Sequence, residues 1–281
     1  MNKVLFQFIA RSYGAYFNGL ALFSGRKAAE KAFTLFCTPR KGKVLPIQEG
    51  YLKAAEHEVL KTKDQELQIY RWAGQGETVL LLHGWESNSF RWRNLIGYLK
   101  TKDYNILAFD APAHGKSSGS IFNVPLYAAC TEEVVKKYKP KYVVAHSVGG
   151  MAAIYQQYRY KSNGVEKLVT IGSPSDLPEI MDQYQKTLKF NKRVWNALDS
   201  YFDEKFGFRI MEFSTHSFAP KLKPQGLLIH DEFDQVAPFH ASERVHKNWP
   251  NSRLIKTKGL GHSLHQEEVN LEIIDFLESV N

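Results

Sequence analysis

From His57 onward, short apolar runs alternate with longer segments that are apolar along one side only, and this alternation predicts the fold class. His57 to Thr62 and Glu66 to Trp72 read as strands on either side of a turn at Asp64 and Gln65, which makes an antiparallel hairpin. Strands and helices then take turns. Thr78 to Leu82 is a strand, a helix falls near Phe90 to Lys100, and Tyr104 to Phe109 is the next strand. A helix near Leu126 to Tyr138 leads to a strand over Lys141 to Ala145, a helix over Val148 to Tyr160 and a strand over Lys167 to Ile171. Such alternation implies parallel strand-helix-strand units. The run Val79-Leu80-Leu81-Leu82 has no polar alternation, so it fits a strand covered on both faces, as central parallel strands must be.

The pattern breaks at Gly172-Ser173-Pro174. A mainly helical, aromatic-rich insert follows from about Asp176 to Lys221, carrying Met181, Tyr184, Leu188, Trp195, Leu198, Tyr201 and Phe202. Strands resume at Gly226 to His230 and Arg253 to Thr257, separated by a helix near Ala241 to Asn248, and an amphipathic helix over Glu267 to Val280 ends the pattern. An insert at this place is expected to act as a lid over the carboxyl ends of the strands, where open α/β sheets bind ligands. Ahead of the hairpin, Val4, Leu5, Phe8, Ile9, Tyr13, Tyr16, Phe17 and Leu20 recur at helical spacing, and Ala28, Ala29, Ala32, Phe33 and Phe36 suggest a second helix ended by Pro39. The expected organisation is a basic helical extension over residues 1–55 and an α/β domain over 56–281 with the insert at about 176–221.

Charge sharpens the reading of that extension. Residues 1–53 hold nine basic and two acidic side chains, a net of +7 out of +8 for the whole chain. So local a balance argues against a nucleic-acid surface and for contact with something acidic. Two expectations compete: the aromatic faces pack on the core domain or a second subunit, or residues 1–53 make peripheral contact with a membrane. At 281 residues, 43% hydrophobic, the chain can bury a large core. Cys37 and Cys130 are too few for a disulfide framework, and no apolar run reaches the ~20 residues of a spanning helix. The first ten residues have Gln7 within their apolar stretch and no convincing cleavage site, so the expectation is a cytoplasmic protein, with peripheral membrane contact as the variant.

The candidate chemistry begins at Ala145-His146-Ser147-Val148-Gly149, where a buried strand meets a helix. Small residues two before and two after a serine let the chain turn sharply enough to push its Oγ out of the sheet. The following helix then starts beside the hydroxyl, and its free amides and positive dipole end favour a developing oxyanion. The competing reading is an ordinary turn in which Ser147 caps the helix. A serine nucleophile needs a histidine base, and the histidine needs a carboxylate to fix its tautomer. Candidates lie past the last two strands: Asp234 with Asp231 and Glu232 close by, and His262 in Gly259-Leu260-Gly261-His262-Ser263. Among the acids, Asp234 is preferred for its place before the Val236-Ala237-Pro238 turn.

At this point the chain resembles the α/β-hydrolase superfamily over about residues 57–281. The marks are His83-Gly84-Trp85 after one strand, Asp110-Ala111-Pro112-Ala113-His114-Gly115-Lys116-Ser117 after the next, the Ser147 turn, the Asp234 loop and the His262 loop, in that order. The resemblance implies Ser147 as nucleophile, His262 as general base and then acid, Asp234 as its orienting carboxylate, and the backbone amides of Trp85 and Val148 as oxyanion hole. Ala145 and Ala113 stand where such proteins usually have glycine, and neither change removes a catalytic group. Dehalogenases and epoxide hydrolases of this fold carry aspartate where Ser147 stands, so the resemblance points to an acyl-serine intermediate.

The remaining histidines read as structural: His83 is expected to bond loop backbone, His146 to point away from Ser147, and His265 to serve as a cap or surface residue. Gly115-Lys116-Ser117 ends like a phosphate-binding loop, but its first required glycine would fall at Asp110. The expected function is therefore hydrolysis of small-molecule carboxylic esters, with neither metal nor cofactor. Alternatives are a membrane-associated lipase or thioesterase, and a noncatalytic binding protein that retains the fold.

Overall fold

The computed structural model describes residues 3–161 and 164–279. Met1, Asn2 and Val280, which the sequence reading includes in its first and last segments, lie outside the described residues. In chain order the elements are α1 (Lys3–Phe23), α2 (Gly25–Cys37), α3 (Pro46–Lys53), β1 (Glu56–Lys61), β2 (Glu66–Trp72), β3 (Thr78–Leu82), α4 (Arg93–Thr101), β4 (Asn105–Phe109), α5 (Val124–Tyr138), β5 (Tyr142–His146), α6 (Val148–Tyr160) and β6 (Lys167–Ile171). They continue with α7 (Leu177–Leu188), α8 (Lys192–Phe206), α9 (Thr215–Phe218), β7 (Gln225–Asp231), α10 (His240–Asn248), β8 (Ser252–Thr257) and α11 (Glu267–Glu278).

The chain forms two compact units, residues 39–175 with 215–281, and residues 1–38 with 176–214. The first is built on an eight-stranded sheet in the order β1-β2-β4-β3-β5-β6-β7-β8. The β1-β2 hairpin pairs Lys61 with Glu66 and is antiparallel, as is β2 with β4, while all later pairings are parallel. Apolar side chains decide which strands are central. Val79 to Leu82, Ile106 to Phe109 and Val143 to Ala145 are fully or almost fully buried, each contributing about 1.5–3 kcal/mol for a large aliphatic side chain. Because the strands from β3 to β8 run in one direction, the loops after β3, β5, β7 and β8 all emerge at one sheet edge.

Residues 39–55, grouped with the helical extension in the sequence reading, belong to this unit. Leu52 is buried in its core with Trp72 and Trp92, and Asn88 donates to the Gln48 side chain over 3.0 Å. Residues 215–221, read as the end of the insert, also belong to it. There Phe218 stacks on Tyr158 of α6 with ring centroids 4.3 Å apart.

The second unit joins the first two helices to the insert. Phe33 of α2 packs among Tyr201, Phe202 and Phe206 of α8, and Arg26 makes two hydrogen bonds to the Glu204 carboxylate, 2.7 and 2.8 Å. Tyr184 of α7 donates its hydroxyl to the Ala32 carbonyl over 2.9 Å. Helix α1 lies on α7 where Gly14 meets the Leu188 carbonyl. The apolar face of α2 thus finds partners on α7 and α8, whereas on α1 Val4, Leu5, Phe8, Tyr13 and Tyr16 are exposed.

The Phe33 and Phe202 rings stand 5.5 Å apart at 77°. Truncating either to Ala is expected to cost about 3–5 kcal/mol in urea denaturation. The double variant should fall short of the sum by about 1 kcal/mol, the coupling of an aromatic pair, whereas strict additivity would contradict the packing of α2 on α8.

Candidate active site

The nucleophile candidate sits where β5 gives way to α6. Ser147 has φ 54° and ψ −128°, a left-handed conformation costly for any residue with a Cβ. Neighbours hold it there: the Ser147 amide donates to Ile171 of β6 over 2.8 Å, and the Gly150 amide donates back to the Ser147 carbonyl over 2.8 Å. The turn needs Gly149, since a Cβ there would stand 2.6 Å from the His83 carbonyl oxygen. Two residues before the serine the constraint is weaker, and the Ala145 methyl is accommodated in the sheet between Leu82 and Thr170. The Ser147 side chain does not cap α6. Its hydroxyl turns instead to His262.

His262 Nε2 lies 3.1 Å from Ser147 Oγ, and Nδ1 lies 2.7 Å from Asp234 Oδ2. A carboxylate only accepts, so Nδ1 carries the proton and Nε2 is left to accept the serine hydroxyl. The three residues come from the ends of β5, β7 and β8. The Asp234 side chain is fully buried and that of His262 is 19% exposed. Burial alone would push the Asp234 carboxyl up. Bonds from His230, His262 and the Val236 and Ala237 amides outweigh it and hold the group well below the usual carboxylate range. Those amides donate to Oδ1 over 2.7 and 3.0 Å.

The neighbouring acids have other work. Asp231 accepts from Thr257 over 2.9 Å and from the Leu260 amide over 2.8 Å, tying the end of β7 to the loop that carries His262. Glu232 pairs with Lys256 and Lys258.

His146 has a partner that the sequence gives no sign of. Its ring lies 4.9 Å from that of His262, and its Nε2 donates to the His262 backbone carbonyl over 2.9 Å. Burial holds this ring well below the usual histidine range, so it stays neutral, and Arg91 adds to the effect. Its Nδ1 is buried without a hydrogen-bond partner. A histidine beside a nucleophile gives no sign in sequence of reaching across to the base, because the contact joins residues 116 positions apart.

His83 and His114 are structural. His83 Nε2 accepts from the Ala111 amide over 2.9 Å and Nδ1 donates to the Gly84 carbonyl over 2.8 Å, and burial pushes the ring down to about 3. His114 bridges Pro112 and the Glu86 amide. The Asp110 carboxylate accepts from Tyr70, Ser89 and the Lys116 amide, all within 3.0 Å, so the segment resembling a phosphate loop folds back on its own aspartate. Together these bonds fix the loop of Gly84 and Trp85, and a Cβ on Gly84 would stand 2.9 Å from the Ser147 Cβ. Val148 opens α6, so its amide has no acceptor within the helix. Among the described residues, neither that amide nor Trp85's makes a backbone hydrogen bond. No three His, Cys, Asp or Glu side chains among the described residues gather as a metal site.

The model for the alpha/beta hydrolase fold matches residues 77–206. A non-heme haloperoxidase of Rhodococcus erythropolis is 25% identical over 263 residues, covering 75% of this chain and 96% of that protein. A bifunctional esterase/perhydrolase of Acinetobacter calcoaceticus is 25% identical over 272 residues, 78% of this chain and 98% of that one. Among solved structures, an esterase from Exiguobacterium antarcticum shares the fold with a TM-score of 0.63 at 20% identity, covering 80% of this chain and all of that one. The strand order, the strained serine between β5 and α6 and these likenesses agree, and the chain has the alpha/beta hydrolase fold.

Proposed function

We propose that the protein is a serine hydrolase that cleaves carboxylic esters through an acyl-serine intermediate. The observation that carries this reading is the unbroken hydrogen-bond path from Ser147 through His262 to Asp234, assembled from three loops at one sheet edge. In the reaction, Ser147 Oγ attacks the ester carbonyl carbon and its proton passes to His262 Nε2. The carbonyl electron pair moves onto oxygen, where the Val148 and Trp85 amides would stabilise it, each such donor being worth about 3 kcal/mol. Collapse expels the alcohol, which takes the proton from His262. Water then attacks the acyl-serine with His262 again as base, releasing the acid and restoring Ser147.

Asp234 supports each step by keeping the proton on Nδ1 and stabilising the imidazolium. The esterase and esterase/perhydrolase among the similar proteins favour acyl chemistry, and small to medium acyl chains are the substrates we assign. A noncatalytic role fits poorly with a serine held in a strained conformation against a base, since such strain is costly without use.

A panel of nitrophenyl esters of increasing chain length tests the reading. Wild type should turn over the shorter esters, and Ser147→Ala should lose about 10⁴-fold or more in kcat. Equal rates in the two proteins would refute the proposal. Asp234→Asn should lower kcat by a comparable ~10⁴-fold, because the amide can donate to Nδ1 and select the wrong tautomer.

The same variant has a signature in stability. Asp234 titrates lower in the folded chain than in the unfolded one, where a carboxyl titrates near ~3.9. Its charged form therefore stabilises the fold above that value, and the contribution is lost as pH falls through the folded value. The gap in denaturation midpoint between wild type and Asp234→Asn should be full above about pH 5 and shrink steadily toward pH 2. A gap that widens on acidification would contradict the assignment.

A further inference from the structure

The outward face of α1 carries large apolar side chains at both ends and in its second half, with Ser12 and Gly19 between them. Ala10, Gly14, Phe17 and Ala21 are buried against the rest of their unit. Leu5, Phe8, Ser12, Tyr16, Gly19 and Phe23 follow at steps of three and four residues on the opposite face. There Leu5 is 51%, Phe8 69%, Tyr16 52% and Phe23 91% exposed. A helix of this kind, apolar on both faces, leaves one face without a cover in water. At 21 residues it is about 30 Å long, yet no helix among the described residues is long and apolar enough to cross a membrane.

Charge indicates what covers it. No acidic residue occurs before Glu30. Arg11 and Asn18, seven residues apart, share one edge of the apolar stripe. Asn18 also holds the turn between α7 and α8, accepting from the Asn191 amide over 2.8 Å and donating to the Lys189 carbonyl over 3.5 Å. Three further exposed basic residues, Lys189, Lys192 and Arg193, lie in that turn or directly after it. Large apolar side chains in the middle, tyrosine among them and cations along the flank, match the boundary between acyl chains and anionic headgroups. A second copy of this chain would bring the same cations against them and be repelled.

We propose that α1 lies in the surface of an anionic lipid bilayer, with Leu5, Phe8, Tyr16 and Phe23 in the acyl boundary and Arg11, Lys189, Lys192 and Arg193 on the headgroups. This docking does not depend on the hydrolase reading.

The test is sedimentation of the full chain with vesicles, either of phosphatidylcholine alone or of equal parts phosphatidylcholine and phosphatidylglycerol. Wild type should sediment with the mixed vesicles only and be released by salt. Phe8→Glu combined with Phe23→Glu should weaken binding by at least about tenfold. Arg11→Ala and Lys192→Ala should each weaken it about fivefold. All these side chains are exposed, so thermal unfolding should be unchanged and binding changes can be separated from misfolding. Wild type left in the supernatant, equal binding to both vesicle types, or unaltered binding of the Phe8/Phe23 variant would each overturn the proposal. A concentration-dependent dimer that the Phe8/Phe23 variant disrupts, with no vesicle binding, would do the same and assign the face to a second copy.

Discussion

The bond between the buried Asp234 carboxylate and His262 is the interaction on which the site depends. A carboxylate removed from water is costly unless its lone pairs are all used, and here two backbone amides and two histidines use them. That demand sets the course of the loop after β7, which must turn at Val236 and Ala237 to present its amides. It also sets the proton on His262, and through it the direction of the Ser147 hydroxyl. One buried charge thus fixes three loops.

The sheet makes this arrangement possible because its parallel strands bring distant segments to a common edge. Ser147 and His262 are 115 residues apart in sequence, and Asp234 and His262 are 28 apart. Secondary bonds then remove the remaining freedom: Asp231 ties its own loop to the one that carries His262, and His146 holds the His262 carbonyl. Both lie outside the hydrogen-bond path that the proposed mechanism uses, yet both determine where the imidazole stands.

Much of this was legible in the sequence because it rests on local rules. The continuous apolar run over Val79 to Leu82 signals a doubly covered strand, and the strand borders follow the turn residues around them. The strained turn is written in Gly149, whose close approach to the His83 carbonyl admits no side chain. Helix α3 was not legible, since eight residues with three large apolar side chains, Ile47, Tyr51 and Leu52, carry little periodicity, and its burial comes from packing on Trp72 and Trp92. The partnership of α2 with α8 was equally hidden. Apolar faces state that they need a partner, and only the folded chain supplies Tyr201, Phe202 and Phe206. The position of His146 had the same cause, a contact decided by two loops far apart in sequence.

Whether the buried carboxylate makes His262 a base for Ser147 is read by intact-mass spectrometry after exposure to a fluorophosphonate. One adduct per chain is expected, located on Ser147 by peptide mapping and formed far more slowly in His262→Ala and in Asp234→Asn. An unlabelled wild type, an adduct on another residue, or labelling of Ser147 at the same rate without His262 would contradict it.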